Sequence, residues 1–547
     1  MKKKIKTLFF LLFFSLCFLG CSEKEKEIIQ ENKGTEIVED ISREMVVAVN
    51  VDKIFSELPF TSVLMNRSQF WGSLVFQGLL IPSDNIHNVQ PDLCEEYSVS
   101  PDGKTYVFIL KEDLYWHDGE RLTTEDVVWS IETCVKNQEV NGFIKKGLQS
   151  IVGAQKYEEG IIERIIGMEA TESDITIKLE YVDGNFLAAL AQVPILPKHC
   201  FKESNREAIG QSDFWKMPIG SGPYQVVENI DNKEAVLVIN ELYSGKKPKI
   251  QQIRYKVLQD PENDPFDFTI TSDPEVVSKF EERQDYEVCR TNNLYYRYLT
   301  MNVDGRNEHN PGIFNDKRVR QALSLGLDRK KIVENVYGSV ALVIDSGIPA
   351  NDSWYMQKEA ETVEYNPQKA KELLREAGFD FERSLVLTRY HEDELSVKLL
   401  EEVAECWRNL GIKVDIQPIK NSEAEKLWTD TDWYDVALKN LAAVDYSEWY
   451  YEYFSGNQMW STILQNRTEF DVLVSALSNT KWAYEREMIY EGIQMLEVEY
   501  TYKIPLAIIP QYVIYNKNRL YIPEIEFANL WYYYDLELSQ WELNTQK

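Results

Sequence analysis

Apolar residues recur along the chain with two periodicities, one typical of helices and one typical of strands. One helical face is predicted by apolar residues spaced four, four, three and four apart, namely Leu395, Leu399, Val403, Cys406 and Leu410. Gly411 follows as a stop signal, and residues 412–416 then alternate as a strand. Helix, glycine and strand in this order are typical of an α/β lobe.

Capping residues predict three more helices in the same half of the chain. Asp316 opens the first, and Asp328 opens the second, which ends at Gly338. Asn366, followed by proline, opens the third, which ends at Gly378. Apolar residues recur at helical spacing inside each of them, so each has one buried face.

A hairpin followed by a capped helix is predicted between residues 98 and 126. Pro101, Asp102 and Gly103 have turn chemistry, and the β-rich run 106–110 follows them. After a second turn at 118–120, Thr123 and Asp126 stand three residues apart, as in a capping box. A buried helix is therefore expected from residue 124 onwards.

The N-terminal residues indicate export. Four lysines among residues 2 to 6 precede an apolar run, residues 8–19, that is short for a membrane span and typical of a secretory signal. Residues 18–21, Phe-Leu-Gly-Cys, resemble the site at which bacterial lipoproteins are cleaved and diacylated. We expect a signal peptide at 1–20, a lipidated Cys21, a flexible tether at 21–43 and a protein anchored on the extracytoplasmic face of the membrane.

Length and composition limit the number of domains and the kinds of binding partner. The 547 residues suggest two to four domains, and the net charge of −30 argues against nucleic acid. Cysteines 94, 134, 200, 289 and 406 form no CxxC motif, and the five histidines show no metal-ligand spacing. We therefore expect neither a metal nor a cofactor; a disulfide stays open.

Five separated segments together resemble one protein family. They are residues 91–126, 218–224, 314–329, 365–378 and 410–414. In this order, behind a lipoprotein signal, they resemble the extracellular solute-binding proteins of family 5, the oligopeptide- and dipeptide-binding lipoproteins that serve ABC importers.

The resemblance implies an α/β, periplasmic-binding-protein-like fold, in which two hinged α/β lobes carry an inserted third domain. Lobe I would comprise residues 44–81, 206–292 and 509–547, domain II residues 82–205, and lobe III residues 293–508. Two strands would cross between lobes I and III, near residues 293 and 508. A hinge of this kind closes around its ligand.

The resemblance also implies a binding site. In the family, a carboxylate in a loop of lobe III meets the α-ammonium of the peptide, and Asp445 stands in the matching register. Tyr446 adjoins it, and a peptide could add itself as a strand along Ala442, Ala443 and Val444. The expected partners are peptide ligands and the permease subunits of an ABC transporter, and the expected state is a monomer without enzymatic activity.

Other ligands and classes stay open. The same fold is known to carry oligosaccharides and nickel complexes, and the aromatic runs 449–451 and 531–534 could stack on a sugar. The absence of a histidine near Asp445 in the sequence counts against nickel. A secreted hydrolase or a peptide-sensing lipoprotein is the remaining alternative, although no catalytic constellation is evident.

Overall fold

A computed structural model describes residues 43–50, 53–55, 58–60, 71–82, 87–201, 206–258, 264–291, 294–303, 312–348, 364–443, 445–457, 468–480, 483–523 and 538–544. The predicted signal peptide, Cys21 and nearly all of the predicted tether lie outside these residues. Within the described part of the chain, no helix combines the length and apolarity needed to span a membrane.

The described residues form both strands and helices. The strands are β1 Glu44–Val49, β2 Leu80–Pro82, β3 Val89–Pro91, β4 Cys94–Val99, β5 Thr105–Leu110, β6 Met168–Ala170, β7 Asp174–Lys178, β8 Tyr224–Ile230, β9 Glu234–Ile239, β10 Gln252–Val257, β11 Phe268–Thr271, β12 Tyr286–Thr291, β13 Leu294–Met301, β14 Leu342–Val343, β15 Ser384–Arg389, β16 Lys413–Ile416, β17 Val436–Ala443, β18 Lys503–Ile508, β19 Gln511–Asn516, β20 Leu520–Tyr521 and β21 Glu542–Leu543. The α-helices are Trp71–Val75, Thr124–Lys136, Gly142–Gln149, Ala154–Glu158, Phe186–Leu190, Pro274–Glu281, Lys317–Leu325, Arg329–Tyr337, Pro367–Glu376, Glu394–Asn409, Lys426–Thr429, Tyr446–Tyr451, Thr468–Asn479 and Ala483–Tyr500.

Two large sheets organise these elements. The first has the strand order β12-β19-β11-β1-β10-β9-β8, and the second has the order β14-β18-β13-β17-β15-β16. The chain leaves the first sheet after Thr291 and enters the second at Leu294; it returns between Ile508 and Gln511. Both passages are therefore short, and the strands that flank them form the antiparallel pairs β12–β19 and β13–β18.

A third sheet, with the order β4-β5-β7-β6, lies within residues 94–178. Its apolar face shares a core with the first sheet, because Phe108 and Ile177 belong to the same buried cluster as Ile253 and Phe268. A separate cluster of buried residues runs from Tyr296 to Ile509 and surrounds the second sheet. The division into lobes I and III and domain II stays a proposal. The separate core around the second sheet supports the boundary of lobe III, whereas domain II shares its core with lobe I.

The local predictions from the sequence are confirmed at the helix ends. Asp316, Asp328 and Asn366 each accept a hydrogen bond from a backbone N–H of the helix that follows. Thr123 and Asp126 form the expected capping box at helix Thr124–Lys136. The predicted hairpin is the antiparallel pair β4–β5.

The apolar face predicted on helix Glu394–Asn409 is displaced around the helix axis. Leu399 and Val403 are buried as expected, whereas Leu395 and Cys406 are only half-buried. Trp407 replaces Cys406 at the centre of the face, and its indole N–H donates to the backbone oxygen of Leu323 at 2.9 Å. Cys406 is one of the five described cysteines, all of which are free.

The Gly-Ser-Gly segment of residues 220–222 is explained by close backbone contact. A Cβ on Gly220 would lie 1.8 Å from the carbonyl oxygen of Val75, and one on Gly222 would lie 2.5 Å from that of Leu74. The His117 ring completes the junction, because its Nδ1 accepts from the N–H of Gly220 at 3.0 Å and its Nε2 lies 3.2 Å from the Gly222 oxygen. Burial lowers the pKa of His117 to about 4, so the ring is neutral and its role at this junction is structural.

Gly220→Ala is expected to lower the free energy of unfolding by about 1–3 kcal/mol or more, because the added methyl group overlaps the Val75 carbonyl. Gly142→Ala is the matched control, since a Cβ at that helix start meets no atom within 4 Å. Chemical denaturation followed by circular dichroism compares the two variants. Equal stability of both would contradict the close-contact account.

Candidate functional site

Asp445 lies just beyond the end of β17 and begins the helix Tyr446–Tyr451. Its Oδ1 accepts a hydrogen bond from the N–H of Ser447 at 2.9 Å, and Glu448 completes a capping box with it. Capping explains why a carboxylate stands at this position in the sequence. The residue is fully buried, with 0% of its surface exposed.

The buried carboxylate of Asp445 has partners from distant parts of the chain. His87 places its Nε2 2.8 Å from Oδ2, and the Tyr490 hydroxyl donates to Oδ1 at 3.2 Å. Arg486 adds a positive charge, with its Nη1 3.8 Å from Oδ1, which is an ion-pair distance but not a hydrogen-bond distance. His87 is separated from Asp445 by 358 residues in the sequence.

The electrostatics of this group keep Asp445 ionised. Burial alone would raise the pKa of Asp445, but the hydrogen bond from His87, the positive charge of Arg486 and the hydrogen bond from the Ser447 side chain outweigh burial and hold the pKa well below its usual range. Burial, followed by the charge of Arg486, lowers the pKa of His87. At neutral pH we therefore describe the pair as a neutral imidazole that donates its Nε2–H to a carboxylate.

The same region joins residues 82–205 to the second sheet and its helices. Arg486 donates from Nη2 to the Asn185 Oδ1 at 2.6 Å, and the Lys146 Nζ lies 3.8 Å from the ring centre of Tyr451. Gly184 fits against the Thr480 carbonyl oxygen, which a Cβ would approach to 2.4 Å. Asp445 thus lies where the predicted domain II meets the predicted lobe III.

The other predicted site residues are placed only in part. Ala443 is buried at the end of β17, whereas Val444 and the side chain of Ala442 lie outside what the structure describes. Tyr446 is fully buried, with its ring 5.1 Å from Trp449 in an edge-on contact. The assignment of these residues to ligand binding stays a prediction.

One argument from the sequence is wrong. No histidine is near Asp445 along the chain, but His87 is its hydrogen-bond partner in the fold. Neither His87 nor Arg486 was identified from the sequence, because a contact over such a separation leaves no local pattern. The absence of a histidine near Asp445 in the sequence is therefore no longer an argument against a nickel ligand.

The first aromatic run, residues 449–451, contributes mainly to packing. Trp449 and Tyr450 are fully buried, and Tyr451 is half-buried beneath Lys146. The run 531–534 lies outside the described residues. The described aromatic residues of the first run therefore offer one partly accessible ring, that of Tyr451, at this junction.

The chain is similar in sequence to proteins of one family. The sequence profile described as bacterial extracellular solute-binding proteins, family 5 matches residues 88–467. The chain is 27% identical to the oligopeptide-binding protein AppA of Bacillus subtilis over 449 residues, which cover 76% of this chain and 78% of the relative. It is 25% identical to an ABC transporter peptide-binding protein of Brucella ovis over 359 residues, 63% of each chain, and so spans less than two thirds of that relative.

Solved structures share the fold. The structure of Bacillus subtilis AppA in complex with a nonapeptide has a TM-score of 0.67 and 21% identity, covering 91% of this chain and 98% of the other. The structure of NikZ from Campylobacter jejuni in complex with Ni(L-His) has a TM-score of 0.67 and 24% identity, covering 91% and 99%.

These structures confirm the predicted α/β, periplasmic-binding-protein-like fold class. The profile match extends over more than half of the chain and includes Asp445 and its capping helix. The chain belongs to the bacterial extracellular solute-binding proteins of family 5.

Proposed function

We propose that the protein captures peptides between its two lobes outside the cytoplasm and delivers them to the permease subunits of an ABC importer. Membership of an extracellular binding-protein family and the peptide-binding names of the relatives support this proposal. The observation that carries it is the position of Asp445, an ionised carboxylate at the junction of two parts of the chain.

A peptide ammonium is the ligand group that this carboxylate suits best. Closure of the lobes removes water from an ammonium, and a fixed carboxylate replaces the lost hydration. Because His87 already donates to Asp445, the arriving ammonium displaces the neutral imidazole and takes its place on Oδ2. The exchange leaves the capping bond from Ser447 to Oδ1 intact.

The edge of β17 offers backbone groups for the rest of the peptide. β15 pairs with β17 only from Val436 to Leu438, while β13 pairs with the full length of β17 on its other side. Among the described strands, none pairs with residues 439–443 on the β15 side. We place the peptide there as an added strand that continues along Ala442, Ala443 and Val444.

A nickel complex is the second candidate ligand, because one observation favours it. His87 and Asp445 bring an imidazole nitrogen and a carboxylate oxygen to within 2.8 Å at the junction, and both are ligands that nickel accepts. NikZ, a structural neighbour, is known in complex with Ni(L-His). An oligosaccharide and a hydrolase substrate are the remaining alternatives, and binding and turnover measurements distinguish them.

The two passages between the sheets provide the hinge in this proposal. Bending at the two passages, from Thr291 to Leu294 and from Ile508 to Gln511, would bring lobe I with domain II toward lobe III. On closure, side chains of domain II and lobe III meet, as those of Asn185 and Arg486 do. The protein acts as a monomer that needs no cofactor, and two acyl chains on Cys21 hold it at the membrane surface.

Unlabelled short peptides are expected to raise the melting temperature of the full-length chain, purified in detergent. A ligand that binds only the folded form stabilises it by about 2.7 kcal/mol at a hundred times its Kd. Oligosaccharides, nickel and nickel with L-histidine are measured in parallel, together with assays of peptide hydrolysis. A shift with nickel or sugar and none with a broad peptide mixture, or turnover of the peptides, would overturn the peptide proposal.

Asp445→Asn is expected to weaken binding of a peptide with a free ammonium by about 2–5 kcal/mol, each 1.4 kcal/mol being tenfold in affinity. N-acetylation removes the ammonium, so it should cost the parent protein a similar amount and the variant little. Calorimetric titration of both proteins with both peptides measures the coupling. Glu491→Gln, an exposed carboxylate on the helix of Arg486, is the control that leaves affinity unchanged.

The empty Asp445→Asn protein is also expected to melt at a lower temperature. Asp445 is the acidic partner of the buried Arg486, so the substitution removes the negative charge that faces this guanidinium. An equal loss on acetylation in the parent and the variant would mean that Asp445 does not hold the ammonium.

Cys21→Ser is expected to move the protein from the membrane fraction to the soluble fraction, because the serine cannot carry the diacylglycerol thioether. Cell fractionation with an immunoblot measures the distribution, and Cys406→Ser is the matched control. A serine variant that stays with the membrane would show that Cys21 is not the anchor.

A further inference from the structure

Asp118, His199 and Cys200 converge on one surface of the 82–205 segment. Each offers one ligand atom to a metal ion, and these atoms all lie within 4.8 Å of one another. The side chains of Asp118 and His199 are 31% and 37% exposed, and Cys200 is half-buried, so solvent reaches the cluster. The cluster is unrelated to the contacts of Asp445.

Two tight turns fix the three residues. Asp118 lies in the turn closed by the bridge between Tyr115 and Arg121, and its Oδ1 accepts from the Glu120 N–H at 3.1 Å. His199 and Cys200 lie in the 3₁₀ turn Lys198–Cys200, where the Cys200 N–H donates to the Pro197 oxygen at 3.0 Å. Backbone held in this way presents the side chains with little loss of entropy on binding.

The residues around the cluster favour a cation. The Asp126 carboxylate accepts from the N–H of Lys198 at 3.1 Å and adds negative charge beside the 3₁₀ turn. The adjacent Lys198 ammonium lies 3.3 Å from Glu125, which offsets its charge. The nearby basic group is therefore already paired with an acid.

We propose that Asp118, His199 and Cys200 form a binding site for a divalent transition-metal ion of the zinc class. A thiolate, an imidazole and a carboxylate are the ligand types that zinc combines, and three protein ligands leave a fourth position open. A hydrogen bond between Asp118 and His199 would by itself join the two turns. Such a structural hydrogen bond does not require the Cys200 sulfur to lie within 4.8 Å of the ligand atoms of Asp118 and His199.

The three ligand atoms, which lie within 4.8 Å of one another, must shift for the ion to enter. With metal–ligand bonds of about 2.0–2.3 Å, tetrahedral coordination places ligand atoms about 3.3–3.7 Å apart. The His199 Nε2 and Asp118 Oδ2 are now 2.8 Å apart in a hydrogen bond, so they separate to admit the ion. Side chains that are about a third exposed can move by this amount without disturbing the core.

Zinc titration of the full-length chain tests the site. After treatment with a chelator, the parent protein in detergent is expected to bind one equivalent of zinc in calorimetry, and zinc should raise its melting temperature. Cys200→Ser and His199→Gln are expected to bind at least about a hundredfold more weakly, since the loss of an outer-shell partner already costs 10–100-fold. Circular dichroism checks that both variants are folded.

Two controls locate the ion. Cys406→Ser removes another half-buried cysteine, and His87→Gln removes the histidine beside Asp445; both should bind zinc as the parent does. Cobalt should give a thiolate charge-transfer absorption in the parent and in both controls but not in Cys200→Ser. Unchanged zinc binding by Cys200→Ser and His199→Gln, loss of binding in His87→Gln, or no stoichiometric binding by the parent would overturn the proposal.

Discussion

A fully buried carboxylate is the constraint from which the site follows. Asp445 has no exposed surface and stays ionised, so the fold must supply its compensation. It does so with a helix N-terminus from Asp445's own loop, a hydroxyl and a guanidinium from helix Ala483–Tyr500, and an imidazole from residue 87. Removing one partner of a buried charge pair typically costs about 3–5 kcal/mol. The contacts between these distant chain segments therefore depend on the charge of Asp445.

This constraint connects the fold to the proposed capture of peptides. Within the described residues the two sheets have separate main cores, and the chain passes between them twice, so the contacts around Asp445 add to these passages and to a small apolar cluster that includes Val340 and Tyr512. If His87 occupies Asp445 in the empty protein, the ligand and the imidazole compete for one carboxylate. The affinity for a peptide then depends on how much more strongly Asp445 binds the peptide ammonium than it binds the His87 imidazole, and not on the ammonium contact alone.

Local features were predictable from the sequence because their causes are local. A capping side chain acts within three residues, so Thr123, Asp316, Asp328 and Asn366 identified their helices. Even so, the buried face of helix Glu394–Asn409 includes Trp407, which the spacing of apolar residues did not identify.

The partners of Asp445 were not predictable, because packing between remote segments decides them. Asp445 itself was selected through its register in the family, but its contact with His87 depends on how residues 82–205 lie against the second sheet. The same holds for the close contact of Gly220 with Val75 and for the convergence of Asp118 with His199. Each of these contacts joins two segments whose sequences look ordinary when taken separately.

A crystal structure of the full-length chain with a bound short peptide tests the central claim most directly. The account predicts that the peptide ammonium lies about 2.7–2.9 Å from an Asp445 carboxylate oxygen and that the His87 imidazole has moved away from it. A peptide bound with its ammonium elsewhere, while His87 still donates to Asp445, would contradict the account.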